Sequence, residues 1–156
     1  MSITTRRGPE CLDDAVVVSQ SIPEFDSPYP KSTYEQRLAN TDSVIEVVYV
    51  DDRPVAFKIG YDRDKDGSFY SWMGGVLPEF RRQGHAQLLA SSQERYAIWK
   101  GYTSIKLKTR RRHTAMQALA QKNGFTVTSE EATGSPDDNL FFEKKLKAFK
   151  HHPINL

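Results

Sequence analysis

Three β-prone runs stand in close succession between Ser43 and Leu77: SVIEVVYV, VAFKIGYD and SFYSWMGGVL. Each is short, rich in β-branched and aromatic residues, and bounded by turn-forming residues, which is the pattern of strands. The linkers, DDRP and DRDKDG, are too short for a crossover, so the strands must pair antiparallel as a meander. The second linker is acidic in the manner of a calcium loop. It lacks the closing Glu and the spacing of one, and reads as a solvated hairpin tip. Gly74 and Gly75, inside the third run, mark a bulge or a close backbone approach.

What flanks the meander changes the fold class. Ahead of it, SITTRR reads as a short strand broken by Gly8-Pro9, and ECLDDAVVVSQSI as a helix with Leu12, Ala15, Val16 and Ser19 on one face. PEFDSPYP holds three prolines in eight residues and must be a loop, and a short helix follows over 32–39. After the meander, 84–100 is a long helix with Leu88, Leu89, Ser92, Tyr96 and Trp99 at helical spacing, closed by Gly101. YTSIKLKTR is a strand, HTAMQALAQKNG a helix, and FTVTSE and NLFFEKKL are closing strands. A strand-helix-strand unit fed by a meander gives an α/β fold: a mixed, mostly antiparallel central sheet of about six to seven strands with helices on both faces. The 156 residues suit a single domain, with 149–156 as a tail.

Charge and composition exclude several function classes. The net charge of +2 gives no footprint for a nucleic-acid partner. The single Cys11 rules out an internal disulfide and a cysteine-based zinc site, and the four histidines show no metal-ligand spacing, so no metal is expected. No apolar run spans a membrane, and the polar, charged N-terminal stretch is no signal peptide; the expected compartment is the cytoplasm.

The chemistry lies in LPEFRRQGHAQLLA, where a strand hands over to a helix through Arg81-Arg82-Gln83-Gly84-His85-Ala86. The start of a helix carries unpaired N–H groups and about half a positive charge, a ready anion site. Gly84 and the small Ala86 let a ligand approach the backbone, and the arginines add charge-assisted hydrogen bonds suited to phosphate. These features fit a pyrophosphate laid across the helix start.

This segment resembles the acetyl-CoA motif of the GNAT superfamily of N-acetyltransferases, Arg/Gln-x-x-Gly-x-Gly/Ala, here Arg81-x-x-Gly84-x-Ala86. HTAMQALAQKNGF resembles the later motif of that family, with its terminal Gly124-Phe125. The element order is similar as well, so the resemblance covers nearly the whole chain. It implies transfer of acetyl from acetyl-CoA, as co-substrate, to an amine of a small molecule or a protein. The backbone of Gly74, Gly75 and Val76, on a strand that splays from its neighbour, would pair with the pantetheine arm, and the backbone of Arg81, Arg82, Gln83, Gly84, His85 and Ala86 would hold the pyrophosphate. His113 stands where that later motif begins with Asn, and its imidazole would hydrogen-bond the cofactor. The closing strands of such folds often meet across a dimer, so a homodimer is one arrangement the resemblance admits.

The attacking amine must lose a proton, usually to a carboxylate. Glu24, on the proline-rich loop, and Glu46, on the first strand of the meander, are the candidates; Glu79 reads as solvent-facing. The departing thiolate is commonly protonated by a Tyr seven residues after the Asn position, and that position is Ala120 here. Tyr70, Ser71 and Tyr102 offer hydroxyls instead. With no Tyr at 120, the resemblance also admits a catalytically weak or inactive CoA-binding or sensing domain. Strand alternation puts Lys106, Lys108 and Arg110 on one face, as a solvated edge or as a contact for phosphates or an anionic acceptor. Phe69, Tyr70, Trp72 and Tyr29 are candidates for the wall of the acceptor pocket.

Overall fold

The meander forms at the expected place, as β2 (Ser43–Val50), β3 (Arg53–Tyr61) and β4 (Ser68–Val76), in a computed structural model that describes residues 1–147. The expected tail, 149–156, lies outside the described residues. The turn between β2 and β3 is tighter than DDRP: only Asp51 and Asp52 form it, both at positive φ, 48° and 68°. Two residues at positive φ match the right-handed twist of a hairpin, so Arg53 and Pro54 are released into β3.

β1 (Ile3–Arg7) adds antiparallel to β2. A 3-10 turn, Pro9–Cys11, takes over the start of the expected first helix, and α1 runs over Leu12–Ser19. α2 is Lys31–Leu38, α3 is His85–Lys100, β5 is Ser104–Arg110, α4 is Thr114–Lys122, β6 is Thr126–Glu130 and β7 is Asn139–Lys145. The seven strands form one sheet in the order β1-β2-β3-β4-β5-β7-β6, parallel only between β4 and β5.

Helices cover both faces. α1 and α2 pack on the face carrying Val47, Phe57, Ile59 and Trp72. α3 and α4 pack on the face carrying Phe69, Ile105, Leu107 and Phe142. The buried side of α3 differs from the apolar stripe in the sequence. Leu88 is 42% and Trp99 63% exposed, while His85, Leu89, Ser92, Gln93 and Ala97 face inward. α3 therefore lays a partly polar face on the sheet, and the sheet answers it. Glu46, only 2% exposed, accepts a 2.5 Å hydrogen bond from Ser92 Oγ.

Gly60, on β3, lies where Gln93 of α3 packs on the sheet. A Cβ there would lie 2.5 Å from Phe69 Cε2, 2.6 Å from Gln93 Nε2 and 3.0 Å from the Tyr70 carbonyl oxygen. The last is backbone and cannot yield. Gly60→Ala should destabilise the fold by about 1–3 kcal/mol through overpacking, read as a lower urea midpoint at unchanged slope.

Candidate active site

Ser68, Phe69 and Tyr70 of β4 pair with Ser104, Ile105 and Lys106 of β5, and pairing then stops. From Ser71 and Leu107 onward the strands part, although β5 stays paired to β7 along its whole length. The free edge of β4 can be assigned residue by residue. The Leu77 amide donates to the Val55 carbonyl at 2.9 Å, and Gly75 stands opposite Phe57 two residues earlier. In an antiparallel ladder such bonded pairs alternate with unbonded ones. The Gly75 amide and carbonyl are therefore directed to β3, while those of Gly74 and Val76 point into the gap. The bulge falls elsewhere than on the glycines: the register shifts between Ile59 and Gly60, which leaves Trp72 without a partner on β3. Gly75 instead gives close approach, since a Cβ there would sit 3.1 Å from Ile22.

At the far end of β4, a 3-10 turn (Pro78–Phe80) leads to the loop 81–84 and to α3. Arg82 and Gly84 have positive φ, 62° and 87°, and nothing lies within 4 Å of where a Gly84 Cβ would be. The amides of Arg82, Gln83, Gly84, His85, Ala86 and Gln87 donate to no acceptor among the described residues; the first bond of α3 runs from the Leu88 amide to the Gly84 carbonyl. Six free amides at a helix start, next to an unpaired strand edge, fit a chain that carries a diphosphate at one end and amide groups along its length.

The side chains of this loop divide the work. Those of Arg82 and Gln83 are exposed and bonded to nothing among the described residues. Arg81 is committed: its Nε donates to the Val76 carbonyl at 3.0 Å and its Nη atoms to both carboxylate oxygens of Glu24, at 2.8 and 2.7 Å. His85 turns its ring into the core, where Nε2 has no partner, so only its amide faces outward. His113 is the N-cap residue of α4 and makes no side-chain capping bond.

Two clefts flank the gap, and Leu107 borders both. On the α3 side, a shallow open cleft is lined by Lys58, Ser71, Ala90, Leu107, Met116 and Ala120. On the opposite face, a second is lined by Arg63, Tyr70, Lys106, Lys108, Thr128 and Glu143. Beside the second stands a cluster of rings. Trp72 meets Tyr34 at 5.0 Å, Tyr61 at 5.4 Å and Tyr29 at 5.8 Å between centroids, and the Arg37 guanidinium lies over it at 5.1 Å. Phe69 does not belong to this wall; it lies across the sheet with Tyr96 and Tyr102.

The three catalytic candidates lie apart. Glu24 is at the rim, bound to Arg81, whose guanidinium holds its carboxyl below the ordinary value. Glu46 lies under α3, held by Ser92 and, at 3.5 Å, by Arg7. Tyr70 lines the cleft opposite α3, under the Arg63 guanidinium, and burial raises its phenol above the usual range. Of the other hydroxyls, Tyr102 donates to Asp42, while Ser71 lines the α3-side cleft. Sequence reasoning missed Lys58 and Glu143, which line the two clefts; their strand alternation was visible, but not which gap they would border.

The cationic run is not on a sheet edge, and among the described residues its members apart from Lys108 are ion-paired. Lys106 pairs with Asp66 at 3.0 Å and Asp64 at 3.6 Å, and Arg112 with Asp137 at 2.6 Å. Arg110 reaches Asp26 of the α1–α2 loop at 3.6 Å and Asp137 of the β6–β7 loop at 3.8 Å, so two loops converge on it.

The profile of the acetyltransferase (GNAT) family matches residues 15–125. The chain belongs to this family. Solved structures agree with it in fold. The ribosomal-protein-S18-alanine N-acetyltransferase from Escherichia coli is 16% identical, with 97% of this chain and 98% of that one covered at a TM-score of 0.79. NAA60 of Arabidopsis thaliana, in complex with a bisubstrate analogue, is 15% identical, with 95% and 100% covered at 0.74. PaiA N-acetyltransferase from Thermoplasma acidophilum, in complex with coenzyme A, is 18% identical, with 93% and 99% covered at 0.71. No curated protein matches in sequence. No helix among the described residues is long and apolar enough to cross a membrane.

Gly84→Glu puts a carboxylate at the row of free amides. Acetyl-CoA binding should weaken by about 10- to 100-fold, the loss of one or two charge-assisted hydrogen bonds. Calorimetric titration measures it, and a thermal scan should show the fold retained.

Proposed function

We propose that the chain is an acetyl-CoA-dependent N-acetyltransferase, in which an amine of a small molecule or protein attacks the thioester directly. The observation that carries this reading is the row of six unbonded amides, Arg82 to Gln87, placed against the free β4 edge. In the proposal those amides hold the pyrophosphate, helped by the unpaired Arg82 and Gln83 side chains. Gly74 and Val76 pair with the pantetheine arm, Gly75 leaves room for Ile22 behind them, and His113 hydrogen-bonds the cofactor from the start of α4. The thioester then lies toward the crotch at Tyr70 and Lys106, between the two clefts.

The acceptor enters from the face opposite α3, between the α1–α2 and β6–β7 loops. A protein amine as acceptor is supported by one structural neighbour, which is named for the alanine of a ribosomal protein. The proposed proton acceptor is Glu24, acting through water from the rim. Glu46, sealed beneath α3, serves to hold β2 and β1 against that helix. Tyr70 orients the acceptor with its hydroxyl, since its raised pKa keeps it neutral and able to donate a hydrogen bond.

Much of the rate comes from holding two reactants in line, and a simple amine is mostly protonated at neutral pH, with a pKa of about 10.4. Thiol release with acetyl-CoA and a panel of amines should therefore rise with pH between about 6 and 8, as the free-base fraction grows about tenfold per unit. Glu24→Gln should lower kcat by about 10- to 100-fold if its carboxylate relays the proton; an unchanged kcat removes Glu24 from the mechanism. Tight acetyl-CoA binding without thiol release for any amine would leave a CoA-binding domain without transfer.

A further inference from the structure

Among the described residues, Lys58 is the one cation that borders the α3-side cleft. It stands on β3 opposite Gly74, and a Cβ on Gly74 would lie 3.6 Å from Lys58 Cγ. The lysine stem thus occupies the surface that a side chain on β4 would otherwise cover, beside the free edge. Its ammonium makes no hydrogen bond and no ion pair among the described residues. Ser71 and Leu107, the first residues beyond the point where β4 and β5 part, line the same cleft. A half-buried ammonium without a partner is costly for a fold to keep, and one facing an open cleft needs a reason to be there.

We propose that Lys58 donates the proton to the departing sulfur during acyl transfer, from the α3 side of the gap. This rests on the acetyltransferase reading above. In the step, the acceptor nitrogen forms its bond to the thioester carbon and the carbon–sulfur bond breaks. The sulfur leaves with the electron pair and takes a proton from Lys58 Nζ; the acceptor's surplus proton passes to the base on the other face, and the neutral lysine regains a proton from water. The products are the amide and the free thiol.

The electrostatics suit the task. Desolvation lowers the Lys58 pKa to about 8, against the opposing pull of the Glu46 carboxylate across the β2–β3 pair. A thiol titrates at about 8.5, so donor and acceptor are matched near the working pH. Three other charged groups bear on Lys58. Arg7 sits on the far side of Glu46 at 3.5 Å, and Glu94 on α3 lines the cleft but is held by Lys144 at 2.5 Å. α4 and β5 contribute no charge to the cleft lining.

The test compares wild type, Lys58→Met and Lys58→Arg by thiol release at saturating acceptor, with acetyl-CoA affinity measured by calorimetry. Arginine keeps the charge but cannot give up its proton. Both variants should bind acetyl-CoA as wild type does and lose about 100-fold in kcat. Wild-type kcat should fall as pH rises through about 8, where the donor deprotonates, and both variants should lack that fall. Wild-type kcat in Lys58→Arg would show a merely structural cation and overturn the proposal, as would a persisting alkaline fall in either variant. If Lys58→Met does not fold, Lys58→Arg and the wild-type profile still decide. A wild type that binds acetyl-CoA yet releases thiol with no amine would overturn the transferase reading and this proposal together, whereas an active wild type with unaffected variants overturns the proposal alone.

Discussion

A strand edge carries donors and acceptors that must be paired or wetted, and in this protein one such edge lies inside the sheet. β5 leaves β4 after three residue pairs, while its other side stays zipped to β7 along all seven of its residues. The parting turns the middle of the sheet into a slot, with the Gly74 and Val76 backbone groups on one lip. Everything functional is arranged about that slot: the free amides at its mouth, the two clefts on its sides, and the loops that converge on Arg110. Had β4 and β5 stayed paired to their ends, the same residues would form an ordinary mixed sheet with no opening through it.

The polar interior beneath α3 belongs to the same arrangement. Leu88 and Trp99 face outward, and the helix meets the sheet through Ser92 and Gln93. Glu46 is held there by Ser92 and Arg7, which binds β1 and β2 to the helix. Such a tie leaves α3 anchored at its middle while its first turn, from Gly84, keeps its amides outward. A buried carboxylate is weak evidence for stability in itself; here it gives the partly polar face of α3 a bonded partner on the sheet.

Much of this was legible in the sequence. The meander, the element order, the helix start at Gly84 and the alternation of Lys106, Lys108 and Arg110 all follow from local pattern, and local pattern is what short strands and caps obey. Misplaced features depended on distant partners. The glycine pair 74–75 suggested a bulge or a close approach; Gly75 gives the close approach, and the bulge falls at Trp72, whose ring meets Tyr29, Tyr34 and Tyr61. Phe69 and Tyr70 are adjacent and equally aromatic, and only the sheet decides that one faces α3 and the other the opposite cleft. Likewise Glu24 and Glu46 are alike as letters; one ends at an exposed rim and the other under a helix.

The fork of Arg81 joins two parts of the molecule that different reactants would touch. One arm holds the Val76 carbonyl on the slot, and the other holds Glu24 on the proline-rich loop. A chain that bonds the Val76 carbonyl would share it with the first arm, and displacing that arm would be felt in the second. Coupling of this kind runs equally in both directions. A group seated at the Val76 carbonyl would thus stand one guanidinium away from the loop that carries Glu24.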